Sequence, residues 1–278
     1  MPELFADGNG IKICYEIYGD GYPVILIHGF GTIKENWMCQ IGALSEKFKV
    51  IIFDNRGAGK SDRPNIPYTM DMYVEDTKAL MDVLKIDKAH IVGWSLGGMI
   101  VQNFILKYPE LVNKVVLINT FSGFPNEQGL IMYKNGLIER YYAILKDPVK
   151  AFFDHSSHKF TRKFRNKMLE DPRKKFYGLF SAEDLINKNS TNLATPQDIK
   201  NGANAIAKHN VIDRLHMIKN ETLILTADKD RISPKVANEE IHKRIKNSIL
   251  KVINNARHDS PFEKAPEVNQ AIVEFLLD

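Results

Sequence analysis

The chain has 278 residues, of which 44% are hydrophobic and 26% are charged, a balance that excludes a disordered, collagenous or coiled-coil protein. The length fits either two domains or one α/β domain with an insertion. The formal net charge of +4 arises locally, because residues 122–215 contain 16 Lys and Arg against 10 Asp and Glu, whereas the remainder contains 22 against 24.

Short apolar stretches bounded by Gly and Pro predict the first two strands, at 11–17 and 24–27, with a turn at 19–21 between them. Five further runs, rich in β-branched residues, are typical of strands that are buried on both faces of a parallel sheet. They lie at 50–53, 89–92, 115–118, 222–225 and 249–252. Helical periodicity is present at 70–84, 99–105 and 268–276. The first two of these segments lie between predicted strands, and the third follows the last strand. The alternation predicts an α/β fold with a mostly parallel wound sheet.

The regular alternation stops after Ile118 and resumes at Thr222. The intervening segment of mainly helical character is far too long for a loop. We therefore interpret it as a helical cap insertion that covers one edge of the sheet. The predicted division is a core domain of residues 1–121 and 216–278 and a cap of residues 122–215.

The densest basic stretch runs from Lys159 to Lys175, inside the predicted cap. Phe160, Phe164 and Met168 recur between its charges at helical spacing. This pattern favours a helix with one buried side and one solvated, charged face. The alternative hypothesis is a surface that attracts an anionic partner or substrate.

A nucleophile motif follows the strand at 89–92. It reads Gly93-Trp94-Ser95-Leu96-Gly97-Gly98 and leads directly into a predicted helix. A tight strand-to-helix turn of this kind needs glycines two residues on either side of the serine and exposes the serine hydroxyl above the sheet. The sequence therefore predicts Ser95 as a nucleophile, with Trp94 packed beside it.

A serine nucleophile needs a base that is itself oriented by a carboxylate. Asp228 and Asp230 follow the predicted strand at 222–225, and His258 follows the next one. Ligand sites of open α/β sheets form at such carboxyl ends of strands. We therefore expect His258 to be the base and one of the two aspartates to orient it.

Oxyanion stabilisation is predicted from the segment His28-Gly29-Phe30-Gly31, which follows the strand at 24–27. The amide of Phe30 and that of Leu96 would provide the two donors of an oxyanion hole. We expect His28 to orient this loop, and we place His28 and Trp94 on the substrate side of the site.

Two further motifs suggest chemistry that their spacing does not support. The segment 54–62 holds glycines after a strand, but it contains neither phosphate-loop pattern, so we interpret it as structural. His155 and His158 lie near Asp154, but no third cluster of strong ligands accompanies them. Cys14 and Cys39 have no metal-type spacing either. The sequence thus predicts no metal and no cofactor.

These motifs together resemble those of α/β-hydrolase fold proteins with a helical cap, and the resemblance covers essentially the whole chain. Matching pieces include the segments around His28, Arg56 and Ser95, and His258 followed by Pro261. The family pattern places a proline four residues after the acid, which selects Asp230 over Asp228 through Pro234.

Within the superfamily the nucleophile motif is similar to that of pimeloyl-carrier-protein methyl ester esterases, enol-lactonases and carboxylesterases. Dehalogenases and epoxide hydrolases would have aspartate in place of Ser95, and cofactor-free haloperoxidases usually have methionine in place of Leu96. The resemblance implies a serine carboxylesterase. Lactone hydrolysis or carbon–carbon bond hydrolysis on the same triad, and a ligand receptor of the same fold, are the alternatives.

The expected partner is a small-molecule ester, and an acidic acyl carrier protein is a further hypothesis, with neither nucleic acid nor membrane as a partner. The first residues contain Glu3 and Asp7 and no basic region followed by an apolar stretch, which predicts no signal peptide. No apolar run approaches the roughly 18 residues that a membrane span needs. We expect a cytoplasmic protein.

Overall fold

The computed structural model describes residues 2–123 and 127–278. Over these residues the strands are β1 (Leu4–Gly8), β2 (Ile11–Tyr18), β3 (Tyr22–Ile27), β4 (Phe48–Phe53), β5 (Ala89–Trp94), β6 (Val112–Ile118), β7 (Thr222–Ala227) and β8 (Ser248–Ile253). The α-helices are α1 (Met38–Ser45), α2 (Met70–Val83), α3 (Leu96–Lys107), α4 (Glu127–Lys146), α5 (Pro148–His155), α6 (Arg162–Glu170), α7 (Ala182–Ser190), α8 (Pro196–Ala207), α9 (Lys235–Arg244), α10 (Ser260–Glu263) and α11 (Ala265–Leu277).

The strands form one sheet in the order β1-β2-β4-β3-β5-β6-β7-β8. The pairings of β1 with β2 and of β2 with β4 are antiparallel, and the others are parallel. The predicted α/β fold with a mostly parallel sheet is confirmed. The turn at 19–21 joins two strands that are not neighbours, because β4 lies between β2 and β3.

Strand β1 was not predicted from the sequence. Only Ala6 among its residues is buried, and Leu4 and Phe5 are exposed, so the strand lacks the apolar alternation that marks a half-buried strand. The edge position explains this pattern, since one row of its backbone groups and most of its side chains face solvent.

The central strands are buried on both faces of the sheet. On β3, Ile25 and Ile27 belong to one hydrophobic cluster, and Val24 and Leu26 belong to the cluster on the opposite face. All four side chains are fully buried. Continuous apolar runs, rather than alternating ones, are therefore what these strands require.

Helices α4 to α8 lie between β6 and β7, as expected for the helical insertion. The short helices α7 and α8 begin with capping boxes, in which Ser181 pairs with Asp184 and Thr195 with Asp198. Such caps satisfy the free N–H groups of a helix start. The boundaries at 121 and 216 stay a prediction. Residue 1 of the predicted core and residues 124–126 of the predicted cap lie outside the described residues.

Helix α6 carries the basic stretch and has the two-sided character that its periodicity predicts. Phe164 and Met168 are buried, while Arg162, Lys163 and Lys167 are exposed. Recruitment of an acidic carrier protein by the exposed face stays a prediction. Within the described parts of the chain, the helices are too short or too polar to cross a membrane.

Candidate active site

Ser95 stands on a strained turn between β5 and α3. Its backbone has φ 58° and ψ −117°, a conformation that is costly for a residue with a side chain. A Cβ on Gly93 would lie 2.4 Å from the Gly97 carbonyl oxygen, and a Cβ on Gly97 would lie 1.9 Å from the Ile27 carbonyl oxygen. The turn therefore requires both glycines, which is why the predicted spacing around the serine exists.

The turn presents Ser95 to a cavity of about 510 Å³ between the core and the insertion. His258 lines the same cavity. Met132, Tyr133 and Leu137 of α4 line it from the side of the insertion. No described residue accepts or donates a hydrogen bond at the Ser95 hydroxyl, which leaves this group open to a substrate in the cavity.

Asp230 and His258 are joined by a hydrogen bond of 2.8 Å between Oδ2 and Nδ1. The other Asp230 oxygen accepts from the amides of Ile232 at 2.8 Å and Ser233 at 3.1 Å, and Oδ2 also accepts from the Ser233 hydroxyl at 2.9 Å. These donors hold the carboxylate in one orientation, with Oδ2 toward the imidazole.

Asp228, the alternative acid, is exposed and accepts a hydrogen bond from the Ala256 amide at 3.2 Å. It makes no contact with His258 in the described structure. The geometry therefore agrees with the selection of Asp230 by the proline four residues later. Asp228 serves instead to tie the end of β7 to the loop after β8.

The surroundings of His258 adjust its basicity. Burial alone lowers the pKa of this imidazole, but the charge and hydrogen bond of Asp230 outweigh burial, so that the pKa lies above its ordinary value of 6.5. The nearby Asp259 adds to the increase, and Lys159 opposes it. Because Nδ1 donates to the carboxylate, Nε2 is the nitrogen that can accept a proton from a substrate or nucleophile.

Two side chains hold the backbone of the His258 loop. The Trp94 indole N–H donates to the His258 carbonyl oxygen at 3.2 Å, and the Asn119 amide donates to the same oxygen at 2.8 Å. The Asn119 amide oxygen accepts from Ala227 at 2.9 Å. Asn119 was missed in the sequence reasoning, although a polar residue directly after β6 at the carboxyl edge of the sheet was a usable signal.

The loop after β3 lies against the nucleophile. A Cβ placed on Gly29 would be 3.8 Å from the Ser95 hydroxyl oxygen. The Phe30 N–H has no acceptor among the described residues, and the Leu96 N–H is at the first position of α3, where a helix has no internal acceptor. Both amides fit the predicted oxyanion hole.

His28 does not fit the predicted place on the substrate side. Its Nε2 accepts from the Asn55 amide at 3.1 Å, and its Nδ1 lies 2.9 Å from the Gly29 carbonyl oxygen. Both ring nitrogens are thus engaged within the protein, and the ring lies outside the main cavity. The position supports only the orientation of the loop. Trp94, by contrast, lines the cavity.

The loop at 54–62 is held by its own hydrogen bonds. Asp54 accepts from the amides of Lys34 at 2.8 Å and Lys60 at 3.0 Å, and its carbonyl accepts from the Ser61 hydroxyl at 2.6 Å. This network shows that the segment stabilises the turn after β4, as the failed phosphate-loop spacing indicated.

The insertion also contributes polar side chains to the cavity wall that the sequence reasoning did not assign to the site. They are Arg140, His155, His158 and Lys159. Burial lowers the pKa of both histidines, which favours their neutral forms. Over residues 2–123 and 127–278, the group that brings three ligand-type atoms together is Glu3, Glu16 and Glu35, and there the ammonium of Lys34 already pairs with all three carboxylates.

Residues 22–265 match the family model for the alpha/beta hydrolase fold. The chain belongs to this family. The match spans the strained serine turn, the Asp230–His258 pair and the whole insertion. Family membership alone does not define the type of bond that is cleaved.

Similar proteins include some that are named as hydrolases and one that is named as a peroxidase. A relative from Synechocystis sp., named "Putative non-heme chloroperoxidase", is 29% identical over 96% of this chain and 95% of its own. A thermophilic esterase from Thermogutta terrifontis has a TM-score of 0.80 and 25% identity, covering 99% of this chain and 98% of the other. An enol-lactonase from Burkholderia xenovorans has a TM-score of 0.83 and 22% identity over 99% and 100% of the chains, and shares the fold.

Proposed function

We propose that this hydrolase cleaves a carboxylic ester through an acyl-enzyme on Ser95. The observation that carries the proposal is the buried Asp230–His258 hydrogen bond of 2.8 Å, with its imidazole on the wall of the cavity that receives Ser95. A histidine oriented by a carboxylate, beside a serine on a strained turn, is the arrangement that serine acyl transfer requires. The similarity to the Thermogutta esterase supports the ester as the bond cleaved.

In the proposed reaction, His258 Nε2 takes the proton of Ser95 as the hydroxyl attacks the ester carbonyl. Asp230 stabilises the imidazolium that forms. The Phe30 and Leu96 amides donate to the tetrahedral oxyanion, each worth roughly 3 kcal/mol of transition-state stabilisation in known cases. Collapse of this intermediate releases the alcohol, protonated by His258, and leaves an acyl-serine. His258 then removes a proton from water as the water attacks the acyl group, and it returns this proton to the Ser95 oxygen when the acid is released.

We expect p-nitrophenyl acetate to give a burst of one p-nitrophenol per protein molecule when deacylation is slower than acylation. Intact-protein mass spectrometry of the quenched reaction should find one added acetyl group, located on Ser95 by peptide mapping. Ser95→Ala should abolish both the burst and the mass increase. Ester turnover retained by Ser95→Ala, or an acetyl group located on another residue, would contradict the mechanism, and binding without turnover would favour a receptor.

The pH dependence follows from the raised pKa of His258. The base works only when its imidazole is neutral, so kcat/KM for a neutral ester should fall as the pH decreases through the His258 pKa, with a midpoint above 6.5. Removing the negative charge in Asp230→Asn should move this midpoint to lower pH. Stopped-flow acylation rates between pH 5 and pH 9 provide the measurement. A midpoint below 6 in the unmodified protein would contradict the assignment of His258 as the base.

A further inference from the structure

Arg140 is a buried cation without a partner. It projects from α4 and is only 9% exposed. Within residues 2–123 and 127–278 it makes no hydrogen bond and no ion pair. A guanidinium carries five N–H donors and keeps its charge in proteins, so its burial without a partner is unfavourable. Because the side chain borders a cavity, its N–H donors are available to a ligand there.

The Arg140 side chain lines the cavity that contains Ser95 and His258. It also borders a smaller adjoining cavity, together with Lys159, Lys188 and Asp259. The Lys159 ammonium lies 3.6 Å from the Asp259 carboxylate. Three cationic side chains of the insertion therefore border the same small cavity as one carboxylate of the core, which leaves an excess of positive charge next to the cavity that contains Ser95.

Lys188 is the third of these cationic side chains. Its ammonium donates to the Asn36 amide oxygen and lies 4.9 Å from the centre of the Phe262 ring, and it forms no ion pair in the described structure. Burial lowers its pKa to about 7, and the neighbouring positive charges act in the same direction. The titratable groups that face it are Arg140, Lys159, Asp259, Cys39 and His28.

A purely structural role accounts for only part of the charged cluster, which consists of Arg140, Lys159, Lys188 and Asp259. The Lys159–Asp259 pair, together with the hydrogen bond of 3.0 Å from the Asp259 amide to the Lys159 carbonyl, ties the insertion to the core. This contact does not use Arg140 or Lys188. An unpaired guanidinium at a cavity wall is suited to bidentate binding of a carboxylate.

The geometry points to a carboxylate subsite centred on Arg140 and supported by Lys159 and Lys188, so that the ester cleaved at Ser95 carries a carboxylate on its acyl part. This inference rests on the proposed ester hydrolysis. The remaining wall near Met132, Tyr133 and Leu137 is largely apolar and suits the carbon chain between the two groups. Monoesters of dicarboxylic acids are the simplest members of this class.

The test compares monomethyl esters of dicarboxylic acids, from succinate to pimelate, with methyl esters of monocarboxylic acids of the same chain length. Acid release in a pH-stat gives kcat/KM. We expect the anionic ester of the best length to exceed its neutral counterpart by about 10- to 100-fold, as one charge-assisted hydrogen-bonded pair supplies. Arg140→Gln should remove this preference by raising KM for the anionic ester, so that kcat/KM for this ester falls to about the value for the neutral ester, whereas Arg140→Lys should keep part of the preference.

Lys146→Gln is the matched control, because it removes one positive charge from the exposed end of the same helix. Lys146→Gln should leave kcat/KM unchanged for both the anionic and the neutral ester. Arg140→Gln should unfold at the same temperature as the unmodified protein or higher, since it removes an unpaired buried charge. A large loss of stability together with equal losses for both substrates would assign Arg140 a structural role and overturn the subsite.

Calorimetric titration with adipate tests the subsite without any turnover. A bound anion raises the pKa of Lys188 from about 7, so binding at pH 7 should take up a fraction of a proton. This uptake is measured by comparing two cationic buffers of different ionisation enthalpy. Adipate binding that Arg140→Gln abolishes would support the subsite even if ester hydrolysis failed. Hydrolysis of neutral esters with neither adipate binding nor a preference for anionic esters would overturn the subsite alone.

Discussion

Ser95→Ala and His258→Ala should each reduce kcat for ester hydrolysis by on the order of 10⁶, and the double variant should be hardly worse than either. The reason is that the serine is a competent nucleophile only while the imidazole removes its proton, so each substitution disables the same step. Steady-state kinetics with p-nitrophenyl acetate, corrected for the uncatalysed rate, measures all three variants.

His242→Ala is a suitable control for these substitutions. His242 lies on α9, and its ring contacts the Ser248 hydroxyl at 2.8 Å, outside the cavity. This variant should keep nearly full activity. Losses that multiply in the Ser95→Ala, His258→Ala double variant would show two independent contributions and contradict a shared proton-transfer unit.

The central strands of the parallel core could be predicted because they are buried on both faces. The runs at β5 and β7, where every position is buried, needed no knowledge of their neighbours. The prediction of two-sided burial was wrong for β8, because this strand lies at the edge of the sheet and Ile249 is 59% exposed. Strand β1 could not be predicted, because its pairing with β2 depends on backbone hydrogen bonds that leave little mark on its side chains. The order of β2, β4 and β3 was equally hidden, since it depends on a crossover rather than on a local pattern.

The residues of the candidate site likewise fall into those that the sequence could predict and those that it could not. Ser95 was predictable because a backbone constraint, the close approach of Gly97 to Ile27, leaves a fixed spacing in the sequence. Arg140 and Asn119 were not, because neither belongs to a local pattern. Arg140 lies on a helix among alternating charged and apolar residues, and only packing of the insertion onto the core turns it toward the cavity.

Contacts outside the cavity tie the insertion to the loop that carries His258. Glu263 accepts hydrogen bonds from the Thr161 amide at the start of α6 and from the Arg257 amide next to His258, each at 3.2 Å. The Phe180 ring packs on Phe262 with 5.4 Å between ring centres. These contacts hold the insertion against the loop that carries His258.

Asp230→Asn should reduce kcat by on the order of 10⁴, with little change in KM, whereas Asp228→Asn should stay within about twofold of the unmodified protein. The amide that replaces the Asp230 carboxylate can turn its NH₂ group toward Nδ1, which places the imidazole proton on Nε2 and prevents that nitrogen from accepting the Ser95 proton. Asp228 carries the same charge two residues away and is exposed, so it controls for loss of negative charge at this loop. Folding is checked by circular dichroism and thermal unfolding of both variants. Exchanged results, with the large loss in Asp228→Asn, would mean that the acid partner changes when substrate binds and would contradict the role drawn from the 2.8 Å Asp230–His258 contact.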